Sequence, residues 1–141
     1  MTRQGGDSPH LRGITVTLAL LDETLCEIEE LARGRERQSI LFRERNRLAP
    51  ARRSAILERV ASMREVIRRV RDALDLQPDV QEAAVEIRSL CAGLWEHVIE
   101  LKPGHLARYG PLPEGLASTM DPAAEELAAG LADILDLLKR R

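Results

Sequence analysis

Apolar residues in this chain recur at alternating steps of four and three along four separate stretches. Ile14, Leu18, Leu21, Leu25, Ile28 and Ala32 keep that spacing in the first stretch, and Ile56, Val60, Met63, Ile67, Val70 and Leu74 in the second. The third runs through Val80, Ala84, Ile87, Cys91, Leu94, Val98 and Leu101, widened by Ala83 and Leu90. The fourth runs through Ala124, Leu127, Leu131, Ile134 and Leu138. An α-helix returns to one face every 3.6 residues, so each stretch reads as an amphipathic helix. None is apolar all round, and each has to bury its stripe against another element.

Prolines punctuate these stretches. Pro9, Pro50, Pro78 and Pro122 each stand just ahead of a run of helix formers, where a missing N–H costs nothing and a fixed φ suits the first turn. Ser8 and Asp121 precede two of them and carry oxygens able to cap free amides. The expected helices are therefore about 10–48, 50–76, 78–102 and 121–139. The first is read as continuous through Gly34, because 40–48 is too short to stand as a helix alone. Helix 1 would then be the longest, roughly 55 Å at 1.5 Å per residue. The expected fold is all-α: an antiparallel bundle of four main amphipathic helices, with a long loop between helices 3 and 4. A flexible N-terminus (1–8) precedes a single helical-bundle domain (9–141). A first helix that outruns its partners leaves apolar surface that a second copy would cover, so a homodimer is expected.

Composition narrows the class further. Aromatic residues are 2% of the chain, only Phe42, Trp95 and Tyr109, which argues against a β-sandwich or barrel. The most apolar run, 14–21, stops at Asp22 and Glu23, whereas spanning a bilayer takes about 20 apolar residues. No membrane partner is expected on that ground. The N-terminus has no apolar run behind a basic start, and Cys26 and Cys91 show no CxxC spacing. Two reduced thiols and a cytoplasmic location are the corresponding expectations.

Catalytic constellations are missing from the sequence. A di-iron carboxylate site on a helical bundle needs Glu-x-x-His on two helices, but His97 has Leu94 three positions before it. With His10 and His105 there are three histidines in all, and there is no phosphate-cradling glycine loop and no GxSxG elbow. The reading is of a non-enzymatic protein with no cofactor and no metal.

Charge is distributed unevenly. Between Arg33 and Arg71 stand thirteen arginines, no lysine and four glutamates, so this span carries +9 while 1–32 carry −4 and 72–141 carry −7. Arg43, Arg45, Arg47, Arg52 and Arg53 form a candidate basic docking surface near the end of the first helix hairpin. Acids elsewhere in the fold or across a dimer are the competing use of these arginines. A second candidate is the 102–119 connection, rich in Pro and Gly, where His105, Arg108 and Tyr109 form a candidate partner-binding loop. Leu106 and Tyr109 are expected to anchor that loop over the bundle as a cap. The function expected is protein–protein interaction by an adaptor, chaperone-like or scaffold protein. Arginine-mediated binding of nucleic acid is the alternative.

Overall fold

A computed structural model describes residues 8–139, so most of the expected flexible N-terminus lies outside the described residues. The chain is all-helical: α1 is Pro9–Ala32, α2 Pro50–Leu74, α3 Ala83–Glu100, α4 Pro103–Leu106 and α5 Leu116–Lys139, with a 3-10 turn at Ala107–Tyr109. It divides into two compact units, one ending at Asp79 and the other beginning at Val80. In the first, α1 packs on α2; in the second, α3 packs on α5.

Helix 1 is not continuous to residue 48. The helix α1 ends at Ala32 in a Schellman motif, in which Gly34 N donates to Leu31 O and Arg35 N to Glu30 O. Gly34 takes φ +104, a conformation that suits glycine and ends an α-helix. With 24 residues in α1 and 25 in α2, the first helix is not the longest, and the expected excess length is gone. The argument for a dimer from an overlong helix falls with it.

Proline does not have the same role at every boundary. Pro9 and Pro50 occupy the first turns of α1 and α2, as the sequence predicts, although neither the Ser8 nor the Ala49 side chain caps them. Pro78 does not begin a helix. Asp75, left-handed at φ 52, closes α2, and no helix begins again until Ala83. A proline fixes only its own φ, and the helix nucleates where Ala83 and Ala84 lower its cost. Pro122 lies inside α5, which begins six residues earlier at Leu116, so Asp121 is helical and caps nothing. Gly115, at φ +81, makes the turn into α5, and half-buried Leu116 and Met120 hold its first turns.

Each unit has its own small core. Leu25, Ala32, Val60 and Leu76 are buried in the first, and Cys91, Val98, Ala124 and Leu131 in the second. Leu101, Ala128 and Leu135 pack around the second cluster. Of these eight buried residues, all but Leu76, which follows the end of α2, fall on the 3–4 stripes of the sequence. Among the described residues no helix is long and apolar enough to cross a membrane.

Candidate functional site

The 33–49 segment between α1 and α2 is an ordered hairpin. Its sequence already alternates: Arg43, Arg45 and Arg47 are exposed, while Glu44, Asn46 and Leu48 between them are half-buried. Period two is the signature of extended chain, and an isolated antiparallel bridge joins Gln38 to Arg43. Glu44 N donates to Arg37 O at 2.7 Å, and Ser39 N to Phe42 O at 2.9 Å, which closes a turn around Ile40 and Leu41.

Inward-facing polar groups hold this hairpin to the end of α1. Arg35, whose side chain is 14% exposed, reaches Glu30 at 2.7 Å and Glu44 at 3.0 Å. Arg37 N also donates to Glu44 Oε1 at 2.8 Å. The Arg35 guanidinium and then the Arg37 amide hold the Glu44 carboxyl down at about 2, and Glu44 in turn raises Arg35. Asn46 Nδ2 donates to the carbonyls of Leu31 at 2.6 Å and Arg35 at 3.1 Å, which ties the returning arm of the hairpin to the end of α1. Arg53 folds back from α2, its Nε donating to Leu48 O at 3.0 Å.

These contacts divide the predicted basic surface. Arg53 is part of the scaffold, packed where a side chain on Gly34 would stand 2.7 Å from its Nη1. Arg43, Arg45, Arg47 and Arg52 are exposed, and none of them forms an ion pair among the described residues. Ahead of them stands a feature the sequence reading placed inside a helix: Ile40 and Leu41 are 95% and 96% exposed, and Phe42 is about half exposed.

The second predicted site does not come together. His105 lies in α4, and Arg108 and Tyr109 lie in the 3-10 turn after it, with no hydrogen bond or ion pair joining them among the described residues. The helix α4 packs on α3 and α5, and Leu106 is half-buried, but Tyr109 is 90% exposed and anchors nothing. Gly110, at φ 124, turns the chain immediately after the tyrosine and leaves its ring in solvent.

Between α1 and α2 lies a groove of about 580 Å³, lined among others by Asp22, Cys26, Arg64, Ile67 and Leu76. Arg64 crosses it to Glu29 at 2.8 Å and to Cys26 Sγ at 3.2 Å, and Glu29 raises its pKa. Arg64 therefore ties the two helices together and is not free for a ligand.

No protein family, characterised protein or solved structure matches this chain.

Proposed function

We propose that this is a non-enzymatic interaction protein, an adaptor, chaperone-like or scaffold protein that self-associates and binds through helix faces. One observation carries the reading: each helix pair keeps an open apolar stripe beside its buried seam. On α3, Leu94 and Leu90 lie about 60° and 100° to one side of buried Cys91, at 100° per residue. On α5, Leu127 and Ile134 lie about 40° and 60° to the same rotational side of buried Leu131. In antiparallel helices equal offsets open on one side of the pair. These four side chains are between 42% and 68% exposed. On α1 and α2, half-exposed Leu21, Ile28 and Met63 repeat the arrangement beside Leu25 and Val60.

Apolar patches of this kind are where subunits meet. Two copies that close their α3–α5 stripes on each other make an antiparallel four-helix bundle. Light scattering at micromolar concentration should give twice the monomer mass, and Leu94→Glu with Leu127→Glu should return the monomer with its helix content unchanged. A wild-type monomer under those conditions defeats the self-association.

The second reading, nucleic-acid binding, is favoured by the unpaired Arg43, Arg45, Arg47 and Arg52. It requires binding that falls steeply with salt, since each neutralised phosphate releases counterions. Replacing Arg43, Arg45 and Arg47 by Gln should then remove it.

A further inference from the structure

We propose that the tip of the 33–49 hairpin docks on an anionic phospholipid surface, Ile40, Leu41 and Phe42 entering the headgroup–acyl boundary and Arg43, Arg45 and Arg47 meeting the phosphates. The first support is the choice of residues at the turn. The two central positions of a tight hairpin turn favour Asn, Asp and Gly. Here they are Ile40 and Leu41, almost wholly in solvent, followed by half-exposed Phe42. Three adjacent apolar side chains at the most projecting point of a hairpin are unfavourable in water, and nothing in the turn geometry requires them.

The second support is charge. The hairpin's two acids are engaged internally, Glu44 by Arg35 and Arg37, and Glu36 by the Asn46 amide at 3.2 Å. Arg43, Arg45 and Arg47 alternate outward behind the tip with no ion pair among the described residues. The projecting surface is thus apolar in front and basic behind. Anionic bilayer interfaces accept that combination, apolar side chains burying about 5–10 Å deep while cations sit at the headgroups. Nucleic acid would use the arginines but has no use for two aliphatic side chains ahead of them, and the tip holds one aromatic ring for stacking. A protein pocket would have to enclose three side chains diverging from a turn, whereas a fluid interface adapts to them.

Third, the hairpin is already ordered by its own hydrogen bonds, so docking costs little further backbone entropy. The expectation of no membrane partner came from the lack of a spanning segment, and a docking tip needs no span.

Vesicles of phosphatidylglycerol and phosphatidylcholine, against phosphatidylcholine alone, provide the test by co-sedimentation at low salt. The wild-type chain should sediment with the anionic vesicles and not with the neutral ones. Replacing Ile40, Leu41 and Phe42 together by Ser should weaken binding on the order of tenfold or more. Replacing Arg43, Arg45 and Arg47 by Gln should weaken it about a hundredfold. All six side chains are exposed, so circular dichroism should show both variants folded. In a Phe42→Trp variant, emission above that of Trp95 should be quenched by lipids brominated along the acyl chain. No sedimentation with anionic vesicles overturns the proposal. So does binding that survives the serine changes and shows no quenching, which would leave plain arginine electrostatics. A duplex probe bound through the arginines in the absence of vesicle binding would assign the surface to nucleic acid instead.

Discussion

The two helix pairs share a sequence period and differ in what joins them. Between α3 and α5 the seam is apolar throughout, with Ala124 fully buried among Cys91, Val98 and Leu131. Between α1 and α2 the apolar seam is supplemented by charge, Arg64 meeting Glu29 at 2.8 Å and Asp22 at 3.5 Å. Beyond it, Arg35 joins Glu27, Glu30 and Glu44 at the hairpin. A 3–4 spacing of apolar residues therefore identifies the face a helix buries, but not the chemistry that holds it there. The charge imbalance of the sequence identifies that second property. The arginine-rich span lies in the first pair, and several of its members answer acids of α1.

The sharpest way to break this comparison is to truncate each core in turn. Leu131→Ala removes a side chain from a close-packed cluster and should cost about 3 kcal/mol. Leu25→Ala, in a pair with added polar ties, should cost about 2 kcal/mol. Trp95 lies on α3, so its fluorescence reports the second unit, while far-ultraviolet dichroism reports both. In urea the Leu131 change should move the tryptophan transition, and the Leu25 change should move only the dichroism. Transitions that shift together in both variants would show one cooperative structure.

Next in size is the end of α1. Gly34→Ala places a side chain at φ +104 and drives it against Arg53 Nη1. It should destabilise the first unit by about 1–2 kcal/mol through backbone strain alone. The equivalent change at Gly93, inside α3 with open space around it, should instead stabilise the second unit by about 1 kcal/mol. Opposite signs from one substitution type, read by urea titration, would sharpen the contrast. Equal signs would remove it.

How far the sequence shows these features depends on the range of the forces involved. The four amphipathic stretches were readable because burial of one face imposes a period, and the buried Leu25, Val60, Cys91, Val98 and Leu131 lie on it. The end of α1 was readable in part: Gly34 is the residue such a boundary favours, and Arg43, Glu44, Arg45, Asn46 and Arg47 alternate outward and inward. Reading 10–48 as one helix set both signals aside for the sake of length. The exposed tip could have been suspected from three adjacent apolar residues off the 3–4 stripe. Other features could not be read from the chain. The role of Arg53 depends on contacts with Leu48 and Gly34, and the exposure of Tyr109 on the φ of Gly110, which no local pattern specifies.

A smaller effect separates the pairs by salt. Arg64 is partly exposed, so its bridge to Glu29 is screened and contributes modestly. Arg64→Met keeps the apolar stem across the groove while removing the charge. It should lower the melting temperature of the first unit slightly at low salt and not at all at high salt. The second unit, which Arg64 does not touch, should respond to salt the same way in both proteins. A loss that persists at high salt would mean that Arg64 acts by packing.

The smallest effect is a pH dependence confined to the hairpin. Glu44 titrates at about 2 in the folded chain against an ordinary 4.5, chiefly because Arg35 and then the Arg37 amide bond its charged form. A carboxyl with a depressed folded pKa binds its proton more readily in the disordered hairpin. Its contribution to order is therefore complete above about 4.5 and disappears as the pH falls through about 2. Lowering the pH over that interval should release the 38–43 bridge before either helix pair melts, because the core contacts of α1 with α2 do not involve Glu44. Amide exchange at Glu44 and Ser39, whose N–H groups donate across the hairpin, should speed up as the pH falls, after correction for the intrinsic rate. The informative quantity is the difference from Glu44→Gln. That variant keeps the shape, loses the charge and should show weaker hairpin protection with no pH response of its own. If it protects those amides as well as the wild type does at pH 7, the hairpin is held by Asn46 and the backbone, and the charge in this unit serves Arg64 and the helices alone.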